Sequence, residues 1–380
     1  MKIYNYFIVV LIFITSSLSA QVNYDGAGIG KGIRFKTNDD SFYLKFRTRI
    51  QTRWDFEQTP ELNLLENKAF VKRSRIKFDG YFMNKDLRYK MEYDVLGGYV
   101  RDALIKYRMG NFDFWFGQGK LPGNRERIVS SANLQLVDRS IFNKNYTLDR
   151  DIGFQLHHSF NIGNVVVRDI YAITSGKGIL DNRMSSGLSY TAKLEVLPFG
   201  KFTNKGDYIS GDLVREETPK LSVAVYGNYI EEAYKDRGQI GKRYTSTADL
   251  LNLGFDMLFK YNGYSLMVEG GQRTGDGDAE FVYDLDQNIG AFYTGKGVNI
   301  QTGYLFKNNW EVAGRYSFTD PNNSDFHYGI NDHTIGISKY IIGHAFKLQS
   351  DFTYRTMDGI DIVGSEKDMF IFRMQLEFQI

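Results

Sequence analysis

Apolar and polar side chains alternate without a break from Phe42 to Glu57. Phe42, Leu44, Phe46, Thr48, Ile50, Thr52, Trp54 and Phe56 share one face. Tyr43, Lys45, Arg47, Arg49, Gln51, Arg53, Asp55 and Glu57 share the other. Strand side chains point to opposite faces in turn, so this is a strand with an apolar wall and a charged wall. One long amphipathic strand would also suit a soluble sandwich, so recurrence decides. Sixteen such segments follow along the chain, at 42–57, 69–82, 86–96, 100–109, 111–121, 150–160, 164–175, 187–198, 219–231, 248–261, 263–275, 295–306, 309–320, 331–342, 344–357 and 367–380. The alternation is least regular in 164–175 and 331–342.

The connections alternate as well. Short ones, such as Met83-Asn84-Lys85, Met109-Gly110 and Asn262-Gly263, follow even-numbered segments and carry the residues that tight hairpins need. Long ones follow the odd segments, with 97–99 and 199–218 breaking the rule. An even strand count with short turns at one end and long loops at the other describes a transmembrane antiparallel β-barrel of 16 strands. The fold class is therefore all-β, and closure leaves no unpaired strand edge in lipid.

The N-terminus fits an export leader over residues 1–20. Met1-Lys2 is basic, residues 3–14 are apolar, and Ser16-Ser17-Leu18-Ser19-Ala20 is a small-residue exit. Residues 21–41 form a Gly-rich periplasmic segment, with a short extra strand at 32–37, and the barrel occupies 42–380. The mean hydropathy of −0.37 does not argue against a membrane, because half of each barrel strand faces water. The 26 Tyr fit an interfacial belt, and the absence of cysteine excludes disulfides, thiolate nucleophiles and thiolate metal sites.

Energy assigns the faces. Lys45, Arg47, Arg49 and Arg53 in hydrocarbon would cost about 2–4 kcal/mol each near the midplane, so they face the lumen. Arg73, Arg75 and Lys77 share the lumen face of the next strand, while Lys72 falls out of phase and is expected near the rim. Same-face neighbours lie about 6.7 Å apart along a strand, a spacing that lets an anion pass between adjacent sites. The competing reading is a ladder neutralised by Asp55, Glu57, Asp79, Glu92, Asp94 and Asp102. Residues 122–149 make the longest loop. Arg125, Arg127, Arg139 and Lys144, with Ser130 and Ser131, would line a constriction if its apolar residues fold back against the wall. Alternatively, the loop grips anionic headgroups or a neighbouring subunit.

The runs FVKRSRIKFDGYFMNKDLRYKMEYD, DALIKYR, FWFGQGKLP and RDIGFQL, and later YTAKLEVLPFG, LMVEGGQR, WEVAGRYSF and HAFKLQSDFTYR, carry a further signal. From about residue 30 onward the chain resembles the phosphate-selective porin O and P family of outer-membrane channels. The resemblance implies a trimeric Gram-negative porin whose third loop narrows the pore. By position it assigns anion attraction to Lys45, Arg47, Arg49, Arg53, Arg73, Arg75, Arg125 and Arg127. The chain differs from the family pattern at 199–218, expected in the periplasm, and in ending at Ile380. Its many acidic lumen residues weigh against strict phosphate selectivity.

Other chemistry is weakly supported. GAGIGKG at 26–32 fails both nucleotide-loop templates. His157 and Ser159 can share a face but lack a placed acid. Asp276, Asp278 and Glu280, or His327, Asp332 and His333, lack a metal-site spacing. The sequence thus predicts no cofactor, no metal, no nucleic-acid partner and no enzymatic activity. It predicts a passive channel for small anions such as phosphate, in outer-membrane lipid, with a nonselective porin and a non-conducting surface barrel as alternatives.

Overall fold

A computed structural model describes residues 22–60, 63–181, 183–184, 186–279, 282–284, 286, 288–358 and 368–380. The expected leader at 1–20 and the candidate calcium ligand Glu280 lie outside the described residues. In chain order the strands are β1 (Val22–Gly28), β2 (Gly32–Thr37), β3 (Phe42–Thr59), β4 (Leu64–Phe82), β5 (Asn84–Asp94), β6 (Tyr99–Met109), β7 (Phe112–Lys120), β8 (Arg150–Ile162), β9 (Val165–Thr174) and β10 (Ser189–Leu197). They continue as β11 (Lys220–Lys235), β12 (Arg243–Tyr261), β13 (Tyr264–Gly275), the two-residue β14 (Val282–Tyr283) and β15 (Ile289–Gly290), then β16 (Gly295–Leu305), β17 (Trp310–Pro321), β18 (Gly329–Ile342), β19 (Phe346–Asp358) and β20 (Asp368–Gln379). Two short helices, α1 (Arg125–Ile128) and α2 (Ile141–Tyr146), lie in the loop between β7 and β8.

Sixteen strands, β3 to β13 and β16 to β20, form a closed antiparallel barrel in sequential order. β20 returns to pair with β3 from Phe370↔Gln58 to Gln379↔Arg49. All sixteen sequence segments are present; β4 and β12 start five residues earlier than the alternation predicts. The extra strand at 32–37 is also present, paired with β1 in a hairpin the alternation did not reveal. β2 takes the stretch of the β3 edge that β20 leaves free, pairing from Ile33↔Phe46 to Lys36↔Tyr43. The chain end is tied there by Ile380 N to Thr48 O at 3.1 Å.

Burial is inverted relative to a soluble protein. Ile50, Trp54, Phe116, Phe154, Leu253, Phe255, Ile335 and Phe352 are exposed on the outside, whereas Arg49, Arg273, Lys260, Glu269, Lys347 and Glu377 are buried inside. The outer face therefore suits hydrocarbon and the inner face a polar lumen. One strand changes phase partway along. Gln51 pairs with Arg73 but Thr52 pairs with Val71, so Lys72 is the extra residue of a β-bulge. This corrects its expected place near the rim: its ammonium lies 3.6 Å from Asp138 of the inward loop. Above the bulge Phe70 shares the face of Arg53, whose guanidinium lies 5.8 Å from its ring.

Two connections fold into the lumen. The loop 122–149 lies against the wall of β10 to β13 and β16 to β20, admitted by inward glycines. A Cβ on Gly336 would come within 2.5 Å of Leu136, and one on Gly297 within 3.0 Å of Phe142. The turn 199–218 also enters, from the short-turn end. Lys260 Nζ donates to the carbonyls of Gly206, Ile209 and Gly211 at 2.8, 2.9 and 2.6 Å. The expectation of a simple periplasmic turn is corrected accordingly, since Phe202, Asp207, Asp212 and Glu216 are buried. Backbone strain accompanies it: Asn204 and Lys205 have φ of 51° and 58°. The turn meets the loop where Ser210 N donates to Asn133 O at 3.0 Å.

If these glycines are what admit the loop, Gly336→Leu will leave the barrel folded, with its heat-modifiable gel mobility intact. It will, however, expose 122–149 to limited proteolysis. A variant as resistant as the parent would show that the wall tolerates the added side chain without displacing the loop.

Candidate functional site

The contacts that dock the loop use both charges of the far wall. The Arg125 guanidinium enters a buried acidic nest, bonding Asp256 at 2.9 Å, Ser222 Oγ at 2.7 Å and Glu195. Burial alone would lower its pKa, but Asp256 and Glu195 hold it well above the ordinary arginine value. Glu126 N donates to Glu269 at 2.6 Å, Gln135 Nε2 to Glu311 at 2.7 Å and Val137 N to Asp351 at 3.0 Å. Wall cations supply the complement. Lys193 Nζ donates to Gly123 O at 2.7 Å, Lys347 Nζ to Leu134 O at 3.0 Å, and Arg273 to Asn145 O at 2.9 Å. Every one of these carboxylates is buried behind the loop or at its edge.

A cavity of about 880 Å³ lies between the loop, the turn 199–218 and the wall of β4 to β10. Its lining holds seventeen Lys and Arg against five Asp and Glu. Eight of the predicted site residues line it: Arg73, Arg75, Lys77, Arg125, Arg127, Ser130, Ser131 and Arg139. Five do not: Lys45, Arg47, Arg49, Arg53 and Lys144. Arg47 pairs with Asp79, and Arg53 with Asp55 at 2.5 Å and Asp138 at 2.7 Å. Arg49 is buried against Ser131 Oγ at 2.8 Å. The β3 and β4 ladder is thus largely paired, with Arg75 and Lys77 both on Glu92 at 2.6 and 3.0 Å.

The cations that sequence reading passed over are Arg88, Lys90, Arg101, Lys106, Arg108, Lys120 and Arg150 on β5 to β8, Arg168 and Lys193 beyond them, and Lys201 and Lys205 in the turn. The same strand alternation, carried four strands further, would have found most of them. Within the lining, Lys106, Arg108, Lys120, Arg139, Lys201 and Lys205 have no carboxylate of a described residue within 4.0 Å. Arg139 instead donates to the carbonyls of Glu126 and Val129 at 3.0 and 2.9 Å. Burial, then the like charges of Arg127 and Arg73, push its guanidinium well below the usual value. Asp138 shows the opposite balance. Burial would raise its carboxyl, but Arg53, Arg73, Lys72 and Arg373 hold it well below the carboxylate range.

No family model and no curated protein matches the chain. Solved structures do. An anion-selective porin from Comamonas acidovorans is 9% identical, covering 89% of this chain and 99% of that one with a TM-score of 0.57. The outer-membrane channel DcaP of Acinetobacter baumannii is 13% identical over 90% and 99%, with a TM-score of 0.57. The trimer form of OmpT, an outer-membrane protein of Vibrio cholerae, is 13% identical over 90% and 100%, with a TM-score of 0.54. At such identities the likeness is one of architecture: the chain has the barrel fold of outer-membrane porins.

Proposed function

We propose that the chain is a passive diffusion channel of the Gram-negative outer membrane that favours small anions. The observation that carries this reading is the imbalance of charge around the cavity, seventeen cations to five carboxylates. A low-dielectric channel lined by one sign of charge concentrates the opposite ion, and several weak sites in series let it leave again. In this reading the loop 122–149 is the constriction, and the paired ladder of β3 and β4 is its rigid frame. The family resemblance puts phosphate among the anions admitted. Export through a leader at 1–20 and assembly as a homotrimer belong to the same proposal, and one solved neighbour is a trimer. The pairing of Arg47, Arg53, Arg75 and Lys77 favours the second reading, a porin with little selectivity.

The reversal potential of the purified protein in a planar bilayer under a KCl gradient separates the two, and repeating it in phosphate tests that anion. A potential near the chloride limit is the expected result; one near zero supports the nonselective porin, and absence of current from inserted protein contradicts a channel. Lys106→Gln or Arg139→Gln should lower the anion-to-cation permeability ratio about two- to fivefold, the effect of removing one partly screened charge. Arg47→Gln, away from the cavity, should change it less.

The depressed Asp138 carboxyl sets a pH dependence. Its contribution to loop docking is present above its unfolded pKa of about 4 and is lost as pH falls through the lower folded value. Single-channel conductance should therefore hold steady from neutrality down to about pH 4 and change only in stronger acid. A transition centred nearer pH 6 would assign the loop's release to another group.

A further inference from the structure

The cavity has a second character besides its charge. Inside the wall of β6 to β9, Leu104, Trp115 and Ile170 face the same space as the basic side chains, and Phe202 and Tyr208 of the inward turn line it too. His157 stacks on Trp115 with ring centroids 3.9 Å apart, and its Nε2 lies 3.1 Å from Gln155 Oε1. The Lys106 ammonium lies 3.2 Å from the centre of the indole and has no described carboxylate in reach. A small hydrated inorganic anion gains nothing from such a strip. Water against Trp115 and Ile170 is a standing cost that an apolar solute would remove. The cavity's volume also falls in the range of sites for whole organic molecules.

We infer that this strip, Trp115 with His157 and the Lys106 ammonium, is a binding site for aromatic carboxylates. His157 and Lys106 take the two faces of the indole, so the ring of the solute packs edge-on against the open rim of Trp115 and against Ile170 while its carboxylate meets Lys106. The inference rests on the channel reading and narrows it from anions in general to organic anions with an apolar body.

Benzoate is the probe, with acetate as the control carrying the same charge without the ring. Two readouts use the purified full-length protein: block of the chloride current in planar bilayers, and calorimetric titration in detergent. Benzoate should half-saturate at a concentration about three- to tenfold below acetate, the gain expected of one aromatic contact. Trp115→Ala should remove most of that difference. Trp115→Phe, which keeps a ring and guards against a folding artefact, should retain part of it. Equal affinities for benzoate and acetate, or a difference that survives in Trp115→Ala with unchanged heat-modifiable mobility, would overturn the inference. Absence of chloride current would remove the channel reading alone, because the calorimetric comparison still decides the site.

Discussion

The docking of the loop 122–149 onto the far wall governs the sign of the lumen. Asp256, Glu195, Glu269, Glu311 and Asp351 all bond loop atoms or sit beside them, and all are buried. A buried charge without a partner is destabilising by several kcal/mol, so these carboxylates and the loop hold each other in place. Four of them lie away from the open cavity, and Glu195 reaches its edge. On the opposite wall Lys106, Arg108 and Lys120 have no carboxylate of a described residue within 4.0 Å. A chain whose formal net charge is only +2 thereby presents a strongly basic cavity. The basic character of the cavity arises from segregation of charge by folding and not from excess of one residue type.

The inward turn 199–218 extends the same principle from the other end of the barrel. Lys260 satisfies three of its carbonyls, while Asp212 accepts from Gly263 N at 2.8 Å and Glu216 from Thr203 N at 2.7 Å. Its contact with the loop at Asn133 makes one continuous inner layer. Arg168 joins that layer to the wall by bonding both Glu195 at 2.8 Å and Asp207 at 2.5 Å. The open space is bordered by that layer on one side and by the wall carrying the aromatic strip of β7 and β8 on the other.

The barrel was legible because lipid imposes a two-residue period that no soluble core sustains over sixteen strands. Phe114, Phe116 and Phe154 outside, against Trp115 and Gln155 inside, show how directly that period reports the faces. The bulge at Lys72 was visible only as a residue out of phase, since one inserted residue shifts every side chain above it. The site was half legible. Alternation places Arg49 and Arg53 in the lumen, but their pairing with Ser131 and Asp138 depends on a loop more than seventy residues away in sequence. The β1–β2 hairpin escaped notice because the alternation in VNYDGAG stops after Val22 and Tyr24, and its structure is set by pairing with β2. Likewise 199–218 reads as a polar turn, and the contacts that hold it inward, from Lys260 to three of its carbonyls and from Arg168 to Asp207, come from residues distant in sequence.

The position of the loop is the claim on which the charge segregation stands. The chain has no cysteine, so an engineered pair reports without background. Leu136→Cys with Gly336→Cys, oxidised in intact outer membranes, should close a disulfide readily, because the Leu136 side chain already occupies the space a Cβ on Gly336 would take. High-yield cross-linking is the predicted result. Failure of the folded, inserted protein to cross-link would place the loop away from that wall, return its carboxylates to the lumen, and contradict the segregation of charge.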